Sequence, residues 1–338
     1  MRITRDALMK IVHTTVEQRT RSNRGLIAIY LCGSLLGDEY LLGGTTDIDL
    51  VFIHSDVIAG EREIVPLTEQ VSLDIAHHYH REYRNPRNLR LHPWLGPTIY
   101  NCNILYDPQH LMDFTQASVR GQFFRPETIL ERARIQAEHA RQIWMGFVTE
   151  GPEAAPTVIV KYLHALEHAA NAVAVLNGSP LTERRFLQHF PARAEAAHHP
   201  GLYPGLLGLL GGSNVDAEAL QAWLPAWQAA YEALPEGETP ARFHPARKAY
   251  YRAGFESLLR GDEPKAVIWP MMRTWTQLAS LLPHGSEATS GWESAANYLG
   301  FLGSEFDQKV SAMDAYLDMV EETLEDWAAE NGVQRETV

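Results

Sequence analysis

Three aspartates stand where carboxylates are least expected. Asp47 and Asp49 open the apolar run Asp47-Ile48-Asp49-Leu50-Val51-Phe52-Ile53, and Asp74 interrupts Ser72-Leu73-Asp74-Ile75-Ala76. Both runs read as buried strands, and strands deplete Asp. Side chains two apart on a strand share a face, so Asp47 and Asp49 point the same way. If the strand carrying Asp74 is a neighbour, three carboxylates meet on one patch. Burying like charges without a partner is costly, and the natural partner is a metal cation. Three oxygen donors with room for water suit Mg²⁺. Two such ions can activate an attacking hydroxyl and stabilise a leaving oxygen. Upstream lies Gly33-Ser34. A glycine lets the backbone approach a phosphate closely, and a hydroxyl with nearby N–H groups can donate to phosphate oxygens. Asp38 and Glu39, in the loop between, read as solvated.

The elements that must position these residues follow from hydrophobic spacing. Residues about 4–21 read as a helix, ended near Arg24-Gly25. Residues 26–32 form a short apolar, β-branched run, a buried strand. Residues 33–46 read as loop, 47–53 as a second strand, 69–80 as a third and 98–107 as a fourth. Alternation on the third puts Ser72, Asp74, Ala76, His78 and His80 on one face and Leu73, Ile75, His77 and Tyr79 on the other. His78 and His80 thus share the Asp74 face and read as its wet end, with lining of the cleft as the alternative. Asp107-Pro108 starts a short helix. From about residue 124 helical spacing takes over and strand signals all but vanish. The expected architecture is α+β, with one domain over 1–120 and an all-helical domain over 121–338.

The whole chain agrees. Its 338 residues suit two domains. No apolar run approaches the roughly 20 residues that span a bilayer, and the first residues lack an apolar signal core. A soluble, cytoplasmic protein without membrane partners is expected. Cys32 and Cys102 are the only cysteines, too few for a disulfide framework. The net charge of −13 argues against general nucleic-acid binding. It suits a cationic small molecule or a metal-bridged nucleotide.

Together these residues resemble the signature of the DNA polymerase β-like nucleotidyltransferase superfamily: Gly33-Ser34, a spacer, Asp47-x-Asp49, and a third carboxylate, Asp74, on a following strand. The specific match covers about residues 26–76, with a spacer slightly longer than in the minimal members. A first helix and a helical second domain also look like the minimal and antibiotic-modifying members. The resemblance implies a mixed sheet with helices on one side, followed by a helical bundle. It implies that Asp47 and Asp49 bind two Mg²⁺ ions, with Mn²⁺ able to replace them, and that Asp74 binds the catalytic ion and helps activate the acceptor. Gly33, Ser34, Thr46 and Lys161 would hold a nucleoside triphosphate, the co-substrate. The implied reaction moves a nucleoside monophosphate to an acceptor hydroxyl, on a small molecule such as an aminoglycoside-type compound. The alternatives are a toxin-like enzyme that modifies tRNA or protein, and a non-catalytic nucleotide-binding protein.

Competing motifs are weaker. His164-Ala165-Leu166-Glu167-His168 fits an inverted zinc-peptidase pattern, and helical spacing puts both histidines on one face, but no third ligand is well placed downstream. Arg184…His189 and Arg134…His139 share a spacing used by some ribonuclease domains, and both residue types are common here. Residues 184–199, rich in Arg and His, read as a solvated helix face, with acceptor binding as the alternative. Trp223, Trp227, Trp269 and Trp275 read as core.

Overall fold

The computed structural model describes residues 3–56, 60–151, 155–235 and 239–333. They form α1 (Arg5–Ser22), β1 (Leu26–Cys32), β2 (Thr46–His54), β3 (Arg62–Pro66), β4 (Val71–Tyr79), α2 (Pro86–Leu91), α3 (Leu95–Asn101), β5 (Asn103–Tyr106) and α4 (Leu111–Arg120). The helices α5 (Pro126–Glu150), α6 (Pro156–Ala174), α7 (Phe186–Ala196), α8 (Leu202–Leu209), α9 (Ala217–Glu232), α10 (Arg247–Leu259), α11 (Ile268–Leu281), α12 (Glu287–Tyr298) and α13 (Gly303–Glu330) follow. None of the described helices is long and apolar enough to cross a membrane.

The chain divides into two compact units. One comprises residues 1–124 with 239–254, the other 125–238 with 255–338. Residues 239–254, a stretch from deep within the helical sequence, group with the first unit.

The first unit is built on a five-stranded sheet of order β3-β4-β2-β1-β5. β2 and β4 run parallel, and the remaining pairs are antiparallel. Strand alternation sorts the side chains. Ile29, Leu31, Ile48, Leu50, Phe52, Leu73 and Ile75 pack with Leu8, Val12 and Val16 of α1. Ala28, Tyr30, Val51 and Ile53 pack on the other face with Leu89, Ile99, Met112 and Val119 of α2–α4. Helices therefore cover both faces, which corrects the one-sided arrangement expected from the resemblance. Two hydrophobic faces along β1 and β2 require two covers. Each fully buried Ile or Leu contributes about 1.5–3 kcal/mol.

Local signals set the ends of these elements. Thr4 caps α1, its Oγ1 accepting from the Ala7 N–H at 3.3 Å. The Asp107 carboxylate accepts from the N–H groups of Leu111, Met112 and Asp113 at 2.8–2.9 Å, so it anchors the start of α4. The span 98–107 is only half strand. Its first residues continue α3, which has Pro97 in its first turn and buries Ile99, and only 103–106 pair with β1. β3, not expected from the sequence, supplies the edge of the sheet.

The second unit is helical. α6 packs against α5, α11 and α13. Trp227, Trp269 and Trp275 are fully buried, with Trp269 stacked on Phe186 at 4.0 Å. Arg141 of α5 draws Asp314, Asp318 and Glu321 of α13 to within 2.6–2.8 Å.

Candidate metal centre

Parallel pairing of β2 with β4 sets Asp49 opposite Asp74 and Asp47 opposite Ser72. On this face the acids occupy one end of the strands, and Val51, Ile53 and Ala76 the other, under α2–α4. The result is direct. Asp47, Asp49 and Asp74 each bring a carboxylate oxygen within 4.8 Å of the others. Among the described residues this is the one group of His, Cys, Asp or Glu that could hold an ion. Asp47 and Asp74 are buried, and Asp49 is half-buried.

Gly33 follows β1 with φ +75°. A Cβ at this position would lie 1.9 Å from Asp49 Oδ2, so the backbone passes directly over the carboxylate and only glycine fits. The adjoining Ser34 starts a single 3₁₀ turn, Ser34–Leu36. Its Oγ is shielded from solvent and has no hydrogen-bond partner among the described residues. The sequence thus places a spare hydroxyl donor one residue from the backbone that covers Asp49.

Sequence reasoning missed two arginines. Arg62, on edge strand β3, donates from Nε to Asp74 Oδ1 at 2.6 Å and from Nη2 to Oδ2 at 2.5 Å. Arg247, at the start of α10, donates from Nη2 to Asp47 Oδ2 at 2.9 Å and from Nη1 to Asp74 Oδ2. Its side chain is only 7% exposed. The loop Leu42–Thr45 helps to hold this segment. Gly43, at φ +62°, lies so close that a Cβ would sit 2.0 Å from the Ala253 carbonyl oxygen, and Thr45 Oγ1 donates to the Tyr250 carbonyl at 3.4 Å. The two glycines therefore have different jobs: Gly33 admits Asp49, and Gly43 admits the segment that carries Arg247.

Electrostatics follow the pairing. Burial, reinforced by Asp47 and Asp74, pushes the Asp49 carboxyl well above the usual carboxylate range, and the two guanidiniums only partly offset this. Burial alone would disfavour the Arg247 charge, but Tyr251, Asp47 and Asp74 outweigh it and the group stays protonated. Hydrogen bonding to Asp74 does the same for Arg62. Cys32 pairs with Asp49 across β1 and β2. Burial and that carboxylate push its thiol up, so it is a poor nucleophile.

These observations meet the requirements of a hard divalent cation. All three candidate ligands are carboxylates. Asp49, half-buried, accepts no hydrogen bond from any described residue, which leaves its oxygens available to an ion. The unpaired Asp49 oxygens lie against Gly33, and the unpartnered Ser34 hydroxyl belongs to the next residue of the chain.

The other expected residues have these surroundings. Thr46 is buried, alternation puts it on the face opposite Asp47, and its hydroxyl donates to the Asp47 carbonyl at 3.1 Å. It does not join Ser34 at the triad. Lys161 is exposed on α6. His78 lies in the half-exposed end of β4, and its Nδ1 is 2.7 Å from the Tyr83 hydroxyl, itself 2.9 Å from the buried Tyr30 hydroxyl. His80 is half-buried, its Nε2 at 3.2 Å from Arg84. Asp38 is exposed beside Arg5. In α6, Glu167 is engaged by Arg273 at 2.7 Å and His168 Nδ1 meets Gln136, so His164, Glu167 and His168 do not assemble as a zinc site. Burial lowers His168 to about 3, which keeps it neutral. In the 184–199 stretch Arg184 is buried rather than solvated.

No protein-family model matches the chain, and no curated protein matches it. The site's meaning therefore rests on its own residues.

Proposed function

We propose that the chain is a metal-dependent nucleotidyltransferase, which moves a nucleoside monophosphate from a nucleoside triphosphate to an acceptor hydroxyl and releases pyrophosphate. The observation that carries this reading is the convergence of Asp47, Asp49 and Asp74 beside the glycine that only fits because it has no side chain. Asp47 and Asp49 would hold two Mg²⁺ ions, and Asp74 the one on the acceptor side. Bound there, the ions would supply the positive charge that lowers the acceptor hydroxyl's pKa and stabilises the departing pyrophosphate.

The chain's own residues do the rest. The sheet fixes the ligands, because Ile48, Leu50, Leu73 and Ile75 lock the intervening positions into the opposite core. Arg62 grips both oxygens of Asp74 and fixes its rotamer. The Gly33 backbone and the Ser34 hydroxyl donate to triphosphate oxygens, with no Cβ in the way. The acceptor oxygen bonds to the α-phosphorus as the bond to pyrophosphate breaks, and the acceptor proton leaves toward Asp74 or solvent. Rate comes from alignment and charge neutralisation rather than from a covalent enzyme intermediate. The acidic balance of the chain favours a small, polyhydroxylated, cationic acceptor over a nucleic acid.

One observation favours a second reading, a nucleotide-binding protein without transfer: both oxygens of Asp74 are already held by guanidinium groups. The test is a screen of triphosphates labelled at the α-phosphate against pooled acceptors with Mg²⁺ or Mn²⁺. Label in an acceptor, lost in Asp49→Asn, supports transfer. Nucleotide binding without any label transfer favours the second reading.

A further inference from the structure

We propose that Arg247 is a resident counter-ion that competes with divalent metal for Asp47 and Asp74 and must withdraw for the triad to load; this rests on the metal reading above. Three features point to it. Arg247 bridges two of the three candidate ligands. Its guanidinium therefore occupies the position between Asp47 and Asp74 that an ion shared by them would need. Two like charges cannot share that position, and one must leave before the other is bound.

The second feature is redundancy. Asp74 Oδ2 accepts from both Arg62 and Arg247, whereas Arg62 alone already satisfies both oxygens of that carboxylate. Withdrawal of Arg247 thus leaves Asp74 paired and oriented, and frees Asp47. The two arginines divide the work: Arg62, from the sheet itself, positions a ligand, and Arg247, from a separate segment, bridges two of them.

The third feature is incomplete satisfaction. Arg247 Nε has no hydrogen-bond partner among the described residues although it is shielded from solvent. The Tyr250 and Tyr251 rings lie 5.1 and 5.6 Å from its central carbon, so aromatic faces of its own segment border the guanidinium beside the carboxylates. Withdrawal of Arg247 takes one positive charge out of the cluster, so the carboxylates attract a divalent ion more strongly without it.

The test is Mn²⁺ alone, titrated by electron paramagnetic resonance into the parent protein and Arg247→Met. The proposal expects Arg247→Met to bind Mn²⁺ at least tenfold more tightly and to gain a larger thermal shift from it. Equal affinity in the two proteins, or weaker binding in the variant, overturns the proposal and leaves the metal site standing. No saturable binding in either overturns both. A second measurement needs no variant. Phenylglyoxal labelling of the parent, read by mass spectrometry, should modify Arg247 slowly without metal and several-fold faster at saturating Mn²⁺. Unchanged protection of Arg247 in the loaded protein overturns the proposal.

Discussion

At the scale of single residues, the site depends on an atom that is missing. Gly33 combines a left-handed backbone with the approach to Asp49 Oδ2. Gly33→Ala must move one or the other. We expect it to lose about 1–3 kcal/mol of stability and to weaken Mn²⁺ binding, measured by thermal melting and metal titration on the same sample. Asp49 should behave in the opposite way. Its folded-state pKa is raised by burial and by its acidic neighbours, so in metal-free protein its ionised form opposes folding. The associated stability is fully present below the ordinary carboxylate pKa near 3.9 and is lost as pH rises through the raised value. Asp49→Asn removes that loss. The metal-free variant should therefore melt no lower than the parent at pH 7, and its advantage should shrink as pH falls toward about 4. A large loss of melting temperature at pH 7 would show that Asp49 is a structural residue.

At the scale of elements, what was legible in the sequence tracks what is local. Asp47, Asp49 and Asp74 stood out because apolar neighbours on both sides announced strands, and period two then fixed their faces. The pairing of β2 with β4 needed only adjacency. Arg62 was harder, because Arg62–Pro66 is short and its burial pattern lies half in solvent. Arg247 was out of reach: it lies 200 residues from Asp47, in a stretch whose helical periodicity matched its neighbours. The span 98–107 misled because its Thr, Ile and Tyr favour strands, while packing of Ile99 beneath α4 and a proline in the first turn made its beginning helical. The same element logic yields a prediction for the returning segment. Gly43 meets the Ala253 carbonyl with no room for a Cβ. Gly43→Ala should loosen residues 245–254, seen as faster amide hydrogen exchange there, while α1 and β1 keep their protection. Unchanged exchange would mean that Thr45 and the arginine pairs hold the segment without the loop.

At the scale of the whole molecule, the first unit is not a continuous piece of chain. Residues 239–254 complete it, and they bring Arg242, Arg247, Lys248 and Arg252 with no acidic residue. In an acidic protein that placement puts positive charge into the unit that holds the triad. A fragment of residues 1–124 should therefore fold less stably than the same residues in the full chain, since Asp47 loses its ion-pair partner and becomes a buried, unpaired charge. Exchange of the β2 and β4 amides in the two samples measures the difference, and equal protection would show that the returning segment adds nothing. The central claim is that the three aspartates hold divalent metal together with a nucleoside triphosphate. Its most direct test is titration of Mn²⁺ in the presence of a non-hydrolysable triphosphate analogue, with the parent and Asp49→Asn compared by electron paramagnetic resonance. The account predicts saturable binding of the metal–nucleotide pair by the parent and a loss of at least tenfold in Asp49→Asn with the fold intact. Equal affinity in the two proteins would contradict it.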